Sequence, residues 1–222
     1  MNKHKIIIFI IALILIICSI FALNVKRVNK FKIEYESLNG KKNEEGKTYK
    51  SISIKKNNPI EYANYEKIFD VLDNTGIIYF GFPECPWCRS AIPSLLDAAE
   101  ETGLEKIYYM NNLNDRDIKV LKDGSIVTEK KGTNNYNKLL KKIGDMASTY
   151  EGLNDETIKR LYYPTVIAVK NGNILDIIVG TVDSQKDPYT PLTKKQALEL
   201  KEKYTIAMNK ILMCDASSSY TC

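Results

Sequence analysis

The stretch Gly76-Ile-Ile-Tyr-Phe-Gly-Phe-Pro-Glu-Cys-Pro-Trp-Cys-Arg-Ser-Ala-Ile-Pro93 decides how the rest of the chain is read. Its first part is apolar and rich in Ile, Tyr and Phe, as a buried strand requires. A Pro83-Glu84 turn follows, and Cys85-Pro86-Trp87-Cys88 then opens a segment of helical character running through Ser94-Leu-Leu-Asp-Ala-Ala-Glu100. Two cysteines therefore stand where a strand hands over to a helix. The free N–H groups and positive dipole end of a first helical turn favour thiolate over thiol. Cys85, at the start of the turn, is the expected nucleophile. Cys88, one turn in and more buried, is placed to resolve a mixed disulfide formed at Cys85, which is dithiol–disulfide exchange.

Working outward, Pro93 falls five residues after Cys88, and Tyr163-Pro164-Thr165-Val-Ile-Ala-Val-Lys-Asn-Gly172 is followed by Gly180. Together with the Cys-x-x-Cys, these marks resemble the thioredoxin-like superfamily. There a proline kinks the active-site helix, a cis-proline opens a later strand, a Lys-Asn-Gly turn ends it, and a glycine follows the last strand. The resemblance covers roughly residues 47–213. It implies an α/β fold with a central mixed sheet flanked by helices. It also implies that Pro164 is cis and faces Cys85 and Cys88, keeps metal from the pair, and lets the backbone at Tyr163 pair with an extended client peptide. Cys88 and Pro164 are 76 positions apart, about twice the family's usual interval, so an insertion is expected at about 112–160. It either shapes the client groove or is a structural elaboration.

The remaining elements are read from periodicity. Phe31, Ile33 and Tyr35 alternate with charged residues and suit a short edge strand within a polar spacer at 24–46. The alternation of Tyr49, Ser51 and Ser53 with Lys50, Ile52 and Ile54 reads as the domain's first strand, broken by Asn58-Pro59. Tyr65, Ile68, Phe69 and Leu72 predict an amphipathic helix over 62–72. Lys106 to Met110 reads as a strand, Ile118 to Thr128 as a hairpin about Asp123-Gly124, and Tyr136 to Met146 as a helix. Asn154 to Leu161 reads as a helix capped by Asn154. Ile174 to Val179 is the hairpin partner of the proline strand. Residues 193–213 form a last helix beginning at Thr193.

At 222 residues and 44% apolar content, the chain can bury one enlarged domain. It carries 32 basic and 27 acidic residues, and Lys3 and Lys5 precede the apolar run, leaving +3 for the rest. Lysines so evenly spread form no basic stripe, and no nucleic-acid partner is expected. Ile6 to Leu23 is unbroken and apolar, about 27 Å long as a helix. Residues 1–23 are thus expected to be a membrane anchor or, alternatively, a cleaved signal peptide. Lys26, Arg27, Lys30 and Lys32 weigh against an outward-facing domain on the positive-inside rule. Short basic tails before a single apolar segment usually stay inside, and tethered domains of this resemblance are typically extracytoplasmic. The expected location is therefore the cell membrane, single-pass, with the domain outside, or secretion after cleavage.

The only histidine is His4, beside the apolar run, which leaves no His partner for a Cys–His nucleophile and too few ligands for zinc. Cys214 and Cys222 end the chain at 214–222 and either close a small structural disulfide or remain reduced. Redox poise is set around the dithiol. Pro86 and Trp87 differ from the Gly-Pro of reducing thioredoxins and share their first proline with glutaredoxins and the CPHC disulfide oxidases. Glu84 is expected to disfavour the Cys85 thiolate and Arg89 to favour it. At the position where thioredoxins bury an acid, six residues before the first cysteine, this chain has Tyr79, so proton handling at Cys88 must differ. The implied function is a membrane-tethered thiol–disulfide oxidoreductase acting on protein thiol and disulfide clients. It needs no cofactor and depends on a membrane or extracytoplasmic redox partner. The alternative is a non-catalytic thioredoxin-like module that assists secretion or assembly of a partner.

Overall fold

The computed structural model describes residues 10–15 and 30–213. Its centre is a five-stranded mixed sheet, order β1-β3-β2-β8-β9, flanked by helices. The strands are β1 (Ile60–Tyr62), β2 (Gly76–Phe80), β3 (Ile107–Met110), β8 (Thr165–Lys170) and β9 (Asn173–Val179). β1 and β2 flank β3 in parallel, whereas β8 runs antiparallel to β2 and β9 antiparallel to β8. Ile77, Ile78, Tyr79 and Phe80 all have no exposed surface, because β2 is central and covered on both faces. That is why its sequence reads as a continuous apolar run. Helix α2 (Tyr65–Asp73) lies on β2, capped by Asn64, whose side chain accepts from the Lys67 N–H. Helix α3 (Pro86–Thr102) packs against α5 (Lys194–Leu212), which crosses β8 and β9. Thr193 and Gln196 form a capping box at the start of α5.

Three sequence expectations are corrected. Residues 30–36 form a helix, α1, and are neither a strand nor a detached spacer. Phe31 and Tyr35 are four apart, one above the other on a helical face, and both are fully buried, while Ile33 is 64% exposed. Two apolar residues at i and i+4 satisfy a period of two as well as 3.6, and only burial separates the readings.

The alternation at 49–54 does bury Ile52 and Ile54, but that segment joins no sheet. Its backbone is answered by side chains of α1 and the turn after it. Asn39 accepts from the Ile52 N–H at 3.0 Å and donates to its carbonyl at 2.7 Å. Glu36 accepts from the Ile54 N–H, and Lys32 donates to the Ile54 carbonyl, both at 2.7 Å. These bonds replace a strand ladder. The first strand of the sheet is instead β1, after Asn58-Pro59.

Residues 154–161 are not a helix. Gly152 and Asn154 take left-handed backbone conformations (φ 82° and 54°), and Asp155 accepts from both the N–H and the hydroxyl of Thr157. An Asx turn offers the same residue types as an N-cap, and here Lys159–Arg160 (β7) returns to pair with Ser148–Thr149 (β6). The rest of the insertion holds the hairpin β4 (Ile118–Lys122) and β5 (Ser125–Lys130), and α4 (Asn134–Ile143).

Residues 10–15 of the apolar N-terminal run are helical; among the described residues no helix is long and apolar enough to cross a membrane. The rest of that run, Cys18, and the Cys214–Cys222 tail lie outside the described residues.

If α1 belongs to the domain, truncating its buried face must cost as much as truncating the central core. Phe31→Ala is expected to destabilise the protein by about 3–5 kcal/mol, read as a lower midpoint in urea unfolding, whereas Ile33→Ala leaves the midpoint nearly unchanged.

Candidate active site

The sheet register builds the site. Phe80, the last residue of β2, pairs with Thr165, the first of β8. The turn entering α3 and the Tyr163-Pro164 bend therefore emerge side by side at one end of the sheet. The Tyr163-Pro164 peptide bond is cis. Cys85 is the N-cap of α3 and Pro86 its first helical residue, where a missing N–H costs nothing.

The Cys85 sulfur takes the capping role usually filled by a hydroxyl or carboxylate oxygen. It accepts from the Cys88 N–H at 3.1 Å and lies 3.8 Å from the Tyr163 carbonyl, to which the thiol donates. Both cysteines are free thiols, Cys85 with 4% of its surface exposed and Cys88 with none. Burial, reinforced by the neighbouring Cys85 sulfur, pushes the Cys88 thiol well up, partly offset by the Phe82 backbone and the Tyr79 hydroxyl. The two thiols thus differ in setting: Cys85 caps the helix and Cys88 is enclosed one turn in.

Tyr163 is held by three side chains. Its hydroxyl donates to Asn112 at 2.6 Å, and its ring meets Phe82 edge-on at 5.4 Å. The Arg116 guanidinium sits 4.6 Å above that ring and donates to the Leu161 carbonyl. Asn112 in turn donates to the Tyr65 hydroxyl, which donates to Asp115. The start of the insertion is therefore wired to the residue beside Cys85. Composition gave no sign of this, because Asn112 and Arg116 sit in a polar stretch that carries no motif.

Trp87 is half-buried against the core beside the pair, and Glu84 is exposed. Glu84 and Arg89, the residues expected to tune the pair, sit in very different settings. Arg89 has no exposed surface, and its N–H groups make five hydrogen bonds to neutral oxygens. The Lys50 carbonyl takes two, the Tyr35 and Pro83 carbonyls one each, and the Asn39 side chain the fifth. These bonds spend the guanidinium on scaffolding the turn before Cys85. Glu84 acts electrostatically on Tyr49, which burial first and Glu84 next push upward, and on Arg89 itself.

Beneath the pair, a Cβ added at Gly81 would lie 2.4 Å from the Tyr79 hydroxyl oxygen and 3.2 Å from the Cys88 sulfur. The absent side chain is what lets these two groups approach the same spot.

Two outcomes follow. Arg89→Lys is expected to lose on the order of 3 kcal/mol in denaturant unfolding, because one ammonium cannot reproduce the planar fork and leaves buried carbonyls short of donors. Burial also raises Cys88, Tyr35 and Tyr79. Their neutral forms belong to the folded state, so their contribution is complete below the unfolded values. Stability is expected to fall as pH rises beyond about 8.5 for the thiol and about 10 for the phenols, where the unfolded chain ionises first. Unfolding midpoints measured from pH 7 to 11 check this.

Compared with known proteins, the sequence matches no family model and no curated protein.

Proposed function

We propose that this chain is a thiol–disulfide oxidoreductase of thioredoxin-like fold. The observation that carries the reading is the Cys85 sulfur capping α3, with the Cys88 N–H directed at it and the Tyr163 carbonyl across from it. A client disulfide is attacked by the Cys85 thiolate, giving a mixed disulfide and releasing one client thiol. Cys88 then attacks Cys85, forming the Cys85–Cys88 disulfide and releasing the second. Run backwards, the same steps oxidise a client dithiol. Trp87 and Pro86 line the contact surface, and an extended client would pair with the backbone at Tyr163. Protein clients are the substrates, no cofactor takes part, and a membrane or extracytoplasmic redox partner resets the pair. The apolar run at 6–23 tethers the domain outside the cell membrane in this proposal.

A second reading, a non-catalytic module that assists secretion or assembly of a partner, draws on one observation: Cys85 keeps only 4% exposure. On that reading the enclosed sulfur serves only as the cap of α3. The two readings separate by trapping. Cys88→Ser is expected to accumulate mixed disulfides with client proteins on non-reducing gels, and Cys85→Ser to abolish them. If neither variant forms adducts and a double Cys→Ser chain retains biological function, the module reading replaces the enzyme.

A further inference from the structure

The thiol of Cys88 is enclosed by phenols. Cys85, the cap of α3, and Tyr79 from β2 act on it, and it acts in turn on Tyr79, Tyr35 from α1, Tyr109 from β3, Tyr163 ahead of β8 and Tyr204 from α5. Cys88, Tyr79 and Tyr35 have no exposed surface, and the hydroxyls of Tyr79 and Tyr35 lie 3.3 Å apart. Tyr109 stacks on Tyr79 at 5.5 Å and fixes the plane of its ring. The open face of Gly81 brings the Tyr79 hydroxyl beside the Cys88 sulfur.

We infer that Tyr79, oriented by the hydroxyl of Tyr35, is the hydrogen-bond donor that stabilises Cys88 as it passes from thiol to thiolate. A neutral phenol already holds its proton and has no basic site to spare at neutral pH, so its contribution is donation, not proton abstraction. Donation from Tyr35 to the Tyr79 oxygen strengthens that bond in turn. The inference rests on the exchange reading given above. In that reaction Cys88 attacks Cys85, the Cys85–client sulfur bond breaks, and the client leaves as a thiolate. The leaving thiolate takes up the proton that Cys88 gives away. Two sulfurs exchange one bond, no outside electrons are needed, and Tyr79 ends with the proton it began with.

The test uses the full chain in detergent with ¹³Cβ-labelled cysteine, whose chemical shift reports ionisation of each thiol without turnover, together with the pH profile of mixed-disulfide resolution. Tyr79→Phe is expected to raise the Cys88 titration midpoint by about one unit, which leaves about tenfold less thiolate at a given pH. Resolution at neutral pH should slow about tenfold, with the difference closing as pH rises past the new midpoint. Tyr35→Phe should move both readouts the same way by less, and it carries the test if Tyr79→Phe does not fold. An unmoved Cys88 midpoint overturns the inference, as does a rate loss equal at every pH. A midpoint that moves in a chain with no exchange activity would uphold the donor role and sink the exchange reading instead.

Discussion

A guanidinium denied water must be met by fixed acceptors, and much of this architecture answers that demand of Arg89. The carbonyls of Tyr35, Lys50 and Pro83 and the side chain of Asn39 come from three separate segments. Because Arg89 sits in the first turn of α3, satisfying it locks the N-terminal helix, the extended segment at 49–54 and the turn before Cys85 to the same point. Lysine would leave several of these oxygens without donors. The charge is therefore a joint, and the dithiol sits one residue from it.

From that joint the site follows in two directions. On one side, α1 is held close enough for Tyr35 to reach Tyr79 beneath Cys88, so a segment well before the first strand takes part in the environment of the buried thiol. On the other, the pairing of Phe80 with Thr165 sets the Tyr163 carbonyl across from the Cys85 sulfur. The insertion closes on the same residue through Asn112 and Arg116. The pair is thus bordered by groups from α1, β2, the Tyr163-Pro164 bend and the insertion, each fixed by its own hydrogen bonds. Such over-determination holds a reactive geometry without relying on a flexible loop.

The two thiols differ in setting. Cys85 follows the turn after β2 and caps α3, accepting from the Cys88 N–H. Cys88 lies a turn deeper with no exposed surface, and Cys85 and Tyr79 act on it. Burial opposes the charged form of Cys88 and pushes its thiol well up.

What the sequence by itself determined is local. The β2 run, the Cys-x-x-Cys at a helix start, the Asp123-Gly124 hairpin, the α2 and α5 periodicities and the Lys-Asn-Gly turn are all written in residues within a few positions of one another. Local sterics and the two periods of 2 and 3.6 are enough to read them. The errors fell where one pattern served two structures. Phe31 and Tyr35 suit strand and helix alike, Ile52 and Ile54 alternate without a sheet partner, and Asn154 to Thr157 spells both a cap and a turn. Only the tertiary structure decided those cases, and it alone revealed Arg89 as a clamp on distant carbonyls. Burial and hydrogen-bond partners depend on distant chain segments, 54 residues away for Arg89 and Tyr35 and 78 for Cys85 and Tyr163, and no short window of sequence contains both.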